Sequence, residues 1–143
     1  MSHLSTDELE FHLEEYKILK AEIAELFKQV GDHASLALSV GGALAAWLVA
    51  NSAAVRGSPL VWFLPVLTSS VLGLLALSKF LRMMTKGRYL RKLEDALGSS
   101  EFGWEKFSGT DASGIFWANF GIWGSINCSY FGFAILMVLR QPG

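Results

Sequence analysis

Three stretches of the chain carry no Asp, Glu, Lys or Arg: Ala34–Val55, Gly57–Ser78 and Ala112–Leu139, runs of 22, 22 and 28 residues. At 1.5 Å per helical residue even the shorter runs reach roughly 33 Å, against about 30 Å for the hydrocarbon core of a bilayer. The pattern predicts three transmembrane helices. The segment before the first run reads differently. Ser5 followed by Glu8 fits a capping box, and Leu4 with Leu9 fits the flanking hydrophobic staple, so a helix is expected to start at about Thr6. Leu9, Leu13, Tyr16, Lys20, Ile23, Phe27 and Val30 then recur at alternating spacings of four and three, the seam of a coiled coil or helical bundle. Ile18, Leu19 and Leu26 broaden that apolar face beyond what a two-stranded seam needs, which favours oligomerisation through a bundle of more than two helices. The other candidate to cover it is the chain's own Lys79–Asp111 segment. A helix lying on the membrane surface is disfavoured, because residues 1–33 carry eight acids against three Lys and would face anionic headgroups.

The resulting fold class is an all-α membrane protein. Residues 1–33 form a coiled-coil-like helix, 34–81 a transmembrane hairpin, 82–111 a basic linker and 112–140 the third transmembrane helix. Pro65, followed by Thr68, Ser69 and Ser70, predicts a mild kink in the second membrane helix, with hydroxyl groups serving the freed backbone. Inside the linker, Arg88–Leu97 reads as a separate short amphipathic helix after Gly87, ended by Gly98. Phe102, Trp104 and Phe107 suit the headgroup zone, and Thr110 or Asp111 is a natural cap for the last helix.

Composition agrees, with 52% hydrophobic and 17% charged residues, against about 25% charged in ordinary soluble chains. The net charge of −1 hides a separation of charge, since Lys79–Lys92 holds six cations and no acid. Lys and Arg are concentrated before the first run and between the second and third. By the positive-inside rule the N-terminus and the 79–111 loop are expected in the cytoplasm, with the C-terminus outside. Ser2–Asp32 lacks the basic start and apolar core of a signal peptide. Cys128 reads as a small buried packing residue inside the third run.

Candidate chemistry is sparse. The segments outside the membrane are too short for an independent catalytic domain, His3, His12 and His33 do not have ligand spacing, and no Gly-rich phosphate loop occurs, so neither an enzyme nor a metal or cofactor site is expected. The absence of ionisable residues within the spans argues against a secondary transporter. Polar but uncharged residues remain as pore-lining or helix-packing candidates. Ser35, Ser39, Gly42, Ala46 and Ala53 form a small-residue face in the first run; Ala118, Gly121, Ser125, Cys128 and Gly132 form one in the third, opposite the bulky Phe116, Phe120, Trp123 and Tyr130. Asn127 stands on the bulky side, where lipid would leave its amide unpaired. Lys79, Arg82, Lys86, Arg88, Arg91 and Lys92 serve topology and anionic lipid, or bind a polyanion such as a nucleotide or short nucleic acid, beside Tyr89 and Trp104 as stacking candidates.

Glu15-Tyr16-Lys17 at the head of an amphipathic helix, then paired membrane helices, then Tyr89-Leu90-Arg91-Lys92-Leu93-Glu94 and Gly103-Trp104-Glu105-Lys106-Phe107 before another apolar run, resembles small bacterial membrane proteins of anti-phage defence. The likeness spans most of the chain on short structural motifs, and the membrane effectors of Hailong-type systems are the first comparison it suggests. The resemblance implies a homo-oligomeric membrane complex. It also implies that a short single-stranded DNA made by a nucleotidyltransferase partner holds the complex closed, and that loss of this ligand opens it and depolarises the cell. Because three helices alone rarely enclose a water-filled path, such a pore would need four or more subunits. The competing expectation is a non-conducting scaffold whose N-terminal helix recruits a soluble partner.

Overall fold

A computed structural model describes residues 6–55, 57–96 and 112–140. Helix α1 runs from Thr6 to Ala50 and helix α2 from Leu64 to Ala96; helix α3 covers Ala112–Leu139. A short 3-10 turn, Pro59–Phe63, leads into α2. The described residues are helical apart from the turn that joins α1 to α2 and Arg140 at the end of α3. All three helices are long and apolar enough to cross a membrane.

Composition and conformation divide the chain differently. At residues 33 and 34 the composition changes from charged to apolar, yet α1 continues as one helix of 45 residues. Nothing there breaks the backbone ladder. Leu, Ala, Glu and Lys dominate, and the nearest glycine, Gly31, is tolerated within a helix for about 1 kcal/mol. Composition changes at that point; conformation does not. Likewise the segment expected as a separate short helix is the last part of α2. Gly87 does not interrupt it but faces inward, on the same side as Ser69, Ala76, Phe80, Leu90 and Glu94.

Pro65 is also placed differently from expectation. It falls in the first turn of α2, where its missing N–H has no intrahelical partner to lose. The hydroxyls of Thr68 and Ser69 donate to the carbonyls of Leu64 and Val66 without a kink to repair. Ala53, grouped with the first small-residue face, lies beyond the end of α1 in the turn. That turn closes through backbone bonds from Ala54 and Val55 to the Asn51 carbonyl, and Gly57 takes φ +92°, a conformation that favours glycine.

Helices α1 and α2 form an antiparallel hairpin that extends past the apolar runs. Val30, Ala37, Ala76 and Phe80 meet Trp123 and Ile126 of α3 in one buried cluster. Leu48, Trp62 and Ala134 form another near the turn, where the Trp62 and Phe133 rings meet edge to face at 6.1 Å. Leu72, Met83, Val66, Phe133 and Met137 are among the half-buried side chains packed around these clusters, and many other large apolar side chains, such as Leu38, Trp47, Leu67, Leu74 and Phe131, face outward. Leu4, Ser5, Gly98, Phe102, Trp104, Phe107, Thr110 and Asp111 lie outside the described residues, and the side chain of Leu9 does too.

Candidate functional site

The charged end of the hairpin joins the acidic α1 to the basic part of α2. Tyr16 donates to Glu94 at 3.0 Å, Tyr89 donates to Glu15 at 2.9 Å, and Lys86 pairs with Glu22. The hydrogen bond and negative charge of Glu15 push the Tyr89 hydroxyl above its ordinary pKa of 10.0. It therefore stays protonated, and able to donate, throughout the physiological range. Glu94 is buried between the helices. The N-terminal part of α1 thus folds back onto its own chain, the alternative to a purely intermolecular seam.

This contact divides the proposed oligomerisation seam. Tyr16, Ile23 and Val30 turn toward α2, with Val30 in the core. Leu13 and Phe27 remain exposed. The basic block is divided as well. At 100° per residue, Lys79, Arg82 and Lys86 fall along one side of α2, whereas Arg88, Arg91 and Lys92 fall along the opposite side. Arg82, Arg88, Arg91 and Lys92 are exposed, Lys79 is half-buried, and Lys86 is held by Glu22. The six cations therefore form two edges within one chain, not one continuous collar.

Within the apolar runs, the polar candidates separate by role. Asn127 is not left to lipid: its Oδ1 accepts hydrogen bonds from Ser69 and Ser70, both at 2.9 Å, and its Nδ2 donates to the Trp123 carbonyl at 3.0 Å. It joins α2 to α3. Tyr130 joins α3 to α1, its hydroxyl lying 3.2 and 3.1 Å from the carbonyls of Ala37 and Leu38. Its ring lies against Gly41, where an added Cβ would come within 2.6 Å. Neither Gly41 nor this tyrosine anchor was legible from sequence spacing, because Gly41 stands one position before the residue that fits the small stripe.

The two small-residue faces point away from the chain's own helices. On α1 the inward line is Ala37, Gly41, Leu44 and Leu48; Ser35, Ser39, Gly42 and Ala46 repeat it two residues earlier. An offset of two residues is 200°, hence the opposite side. The same offset relates Gly121, Ser125, Cys128 and Gly132 on α3 to Trp123, Asn127, Tyr130 and Ala134. Trp123, Asn127, Tyr130 and Ala134 pack within the chain, Phe116 and Phe120 farther along the bulky side are exposed, and the small side is exposed throughout. A Cβ added at Gly42, Gly121 or Gly132 would meet nothing within 4 Å. Cys128 is exposed on this face, contrary to the buried role expected of it. The hydroxyls of Ser39 and Ser129 donate to Ser35 and Ser125 carbonyls of their own helices.

Among the described residues no group of three or more His, Cys, Asp or Glu side chains has the arrangement of a metal site. Compared with known protein families, characterised proteins and solved structures, the chain matches none of them.

Proposed function

We propose that the chain is the subunit of a homo-oligomeric, ligand-gated membrane pore, an effector of bacterial anti-phage defence. In this reading it sits in the inner membrane with the charged ends of α1 and α2 in the cytoplasm and the end of α3 outside. The observation that carries it is the pair of outward small-residue faces on α1 and α3. Small residues permit close approach of neighbouring membrane helices, and three helices alone rarely enclose a water-filled path, so the path is assigned to the space between copies. Four or more copies supply enough helices to surround one.

Gating is assigned to the charged end. Arg82, Arg88, Arg91 and Lys92 are exposed there, and rotational assembly multiplies them around one axis into a field that attracts a polyanion. The resemblance to defence effectors names its class, a nucleotide or short single-stranded DNA supplied by a nucleotidyltransferase partner. Binding holds the pore closed and its loss depolarises the membrane. The scaffold reading draws on a different observation, the exposed apolar residues of α1 at the charged end, which would fit a recruited soluble protein.

The test is the native mass of the complex extracted gently in detergent, measured before and after nuclease treatment. A symmetric assembly of four or more subunits carrying nuclease-sensitive mass is expected. A monomer or dimer overturns the pore and leaves the scaffold.

A further inference from the structure

The part of α1 that carries charge presents two unlike outer flanks. His12, Leu19, Leu26 and their neighbours face α2, and on either side of that contact the helix is exposed. One flank carries Phe11, Glu14, Ile18, Glu25 and Asp32; the other carries Leu13, Lys17, Lys20, Ala24 and Phe27. Glu10 and Lys28 lie between the two and offset each other, so one flank is acidic and the other basic. Both are also apolar: Phe11 is 65% exposed, Ile18 56%, Leu13 45% and Phe27 61%. Such side chains are ordinary in lipid. Here they alternate with ionised groups along helical turns that cannot sit in the hydrocarbon, so they stand in water unless something covers them.

We infer that the cover is a second copy of this chain, the acidic flank of α1 in one subunit docking against the basic flank of α1 in the next. The inference rests on the homo-oligomer proposed above and specifies its interface. Copies inserted the same way round in one membrane hold equivalent residues at equal height. Parallel α1 helices therefore bring Phe11 and Ile18 level with Leu13 and Lys17, and Glu25 with Ala24 and Phe27. Glu14 meets Lys17, one opposite-charge pair, and no like charges face each other across the contact. A face-to-face pairing of identical flanks would instead oppose Glu25 and Asp32 to their own copies, which is repulsive. Lys20, whose amino group lies 5.9 Å from the ring of its own Tyr16, stays on the basic edge. Because the contact joins two different flanks, it is heterologous, and repeated by rotation it closes into a ring. The side of α1 between the flanks then faces the ring's interior. Farther along the helix that side continues into Ser35, Ser39, Gly42 and Ala46, with α2 and α3 outside, so α1 is the helix that lines the path.

Disulfide trapping in intact membranes tests the interface. In a Cys128→Ser background, the double variant Ile18→Cys with Lys20→Cys should oxidise to a ladder of dimer, trimer and higher bands ending at the ring, while either single variant stays monomeric. The two positions lie on opposite flanks of one helix and cannot bridge within a chain. Dimers formed by a single-cysteine variant overturn the heterologous contact. A double variant that yields no ladder while native mass still shows an oligomer overturns this interface and leaves the proposed pore standing; a monomeric native mass overturns both. Charge reversal gives a second readout. Glu14→Lys should weaken the oligomer, and adding Lys17→Glu to the same chain should restore it. Failure of that restoration in a folded protein counts against the pairing.

Discussion

At the level of single residues, two polar anchors hold α3 to the hairpin. Asn127 accepts from Ser69 and Ser70 on α2, and Tyr130 reaches the carbonyls of α1 over Gly41. Side-chain hydrogen bonds between membrane helices are worth about 0.6 kcal/mol on average, so shape matters as much as polarity. The close fit at Gly41 makes this measurable. Gly41→Ala puts a methyl group against the tyrosine ring, and overpacking of this kind costs about 1–3 kcal/mol. We expect that loss in the unfolding equilibrium in detergent, and expect it to fall close to zero in a Tyr130→Ala background, where the clash has been removed. An equal cost in both backgrounds would place the effect of Gly41 elsewhere. The sequence showed that Asn127 needed a partner, since an unpaired amide in lipid is expensive. It did not name the partner, because Ser69 and Ser70 lie on another helix and only tertiary packing brings them together.

Among the elements, the continuity of α1 and α2 changes how the charged end is understood. Alternating composition made the chain look segmented, with a cytoplasmic helix joined to a membrane helix and a short amphipathic helix following another. The structure keeps each pair as one rod. Apolar periodicity was legible because it repeats locally along the helix, and the three membrane-length helices emerged as expected. Whether a periodic face meets the chain itself or another copy is not written in its spacing. Tyr16, Ile23 and Val30 turned out to face α2, while Leu13 and Phe27 did not. A proline at the former boundary separates the two descriptions. Asp32→Pro should destabilise a continuous helix by about 3 kcal/mol or more, seen as a lower midpoint of thermal unfolding in detergent. A hinge or linker at that position would accept the same substitution with little change.

For the molecule as a whole, the distribution of side chains sets an inside and two kinds of outside. Trp123, Ile126, Phe80 and Ala37 are used up in the chain's own core. Exposed Leu, Val and Phe cover much of the remaining span, and the small faces of α1 and α3 point away from the other described helices of the same chain. A pore assembled around α1 makes use of both features, placing the bulky surfaces outward and the Ser35–Ser39 face inward. The account is tested most directly by ion flux from sealed vesicles containing the purified, nuclease-treated protein. In a Ser39→Cys variant of the Cys128→Ser protein, we predict flux well above that of protein-free vesicles and its block by a membrane-impermeant thiol reagent, with the Cys128→Ser parent conducting and unaffected. Vesicles that hold the assembled oligomer yet leak no faster than protein-free ones would contradict it.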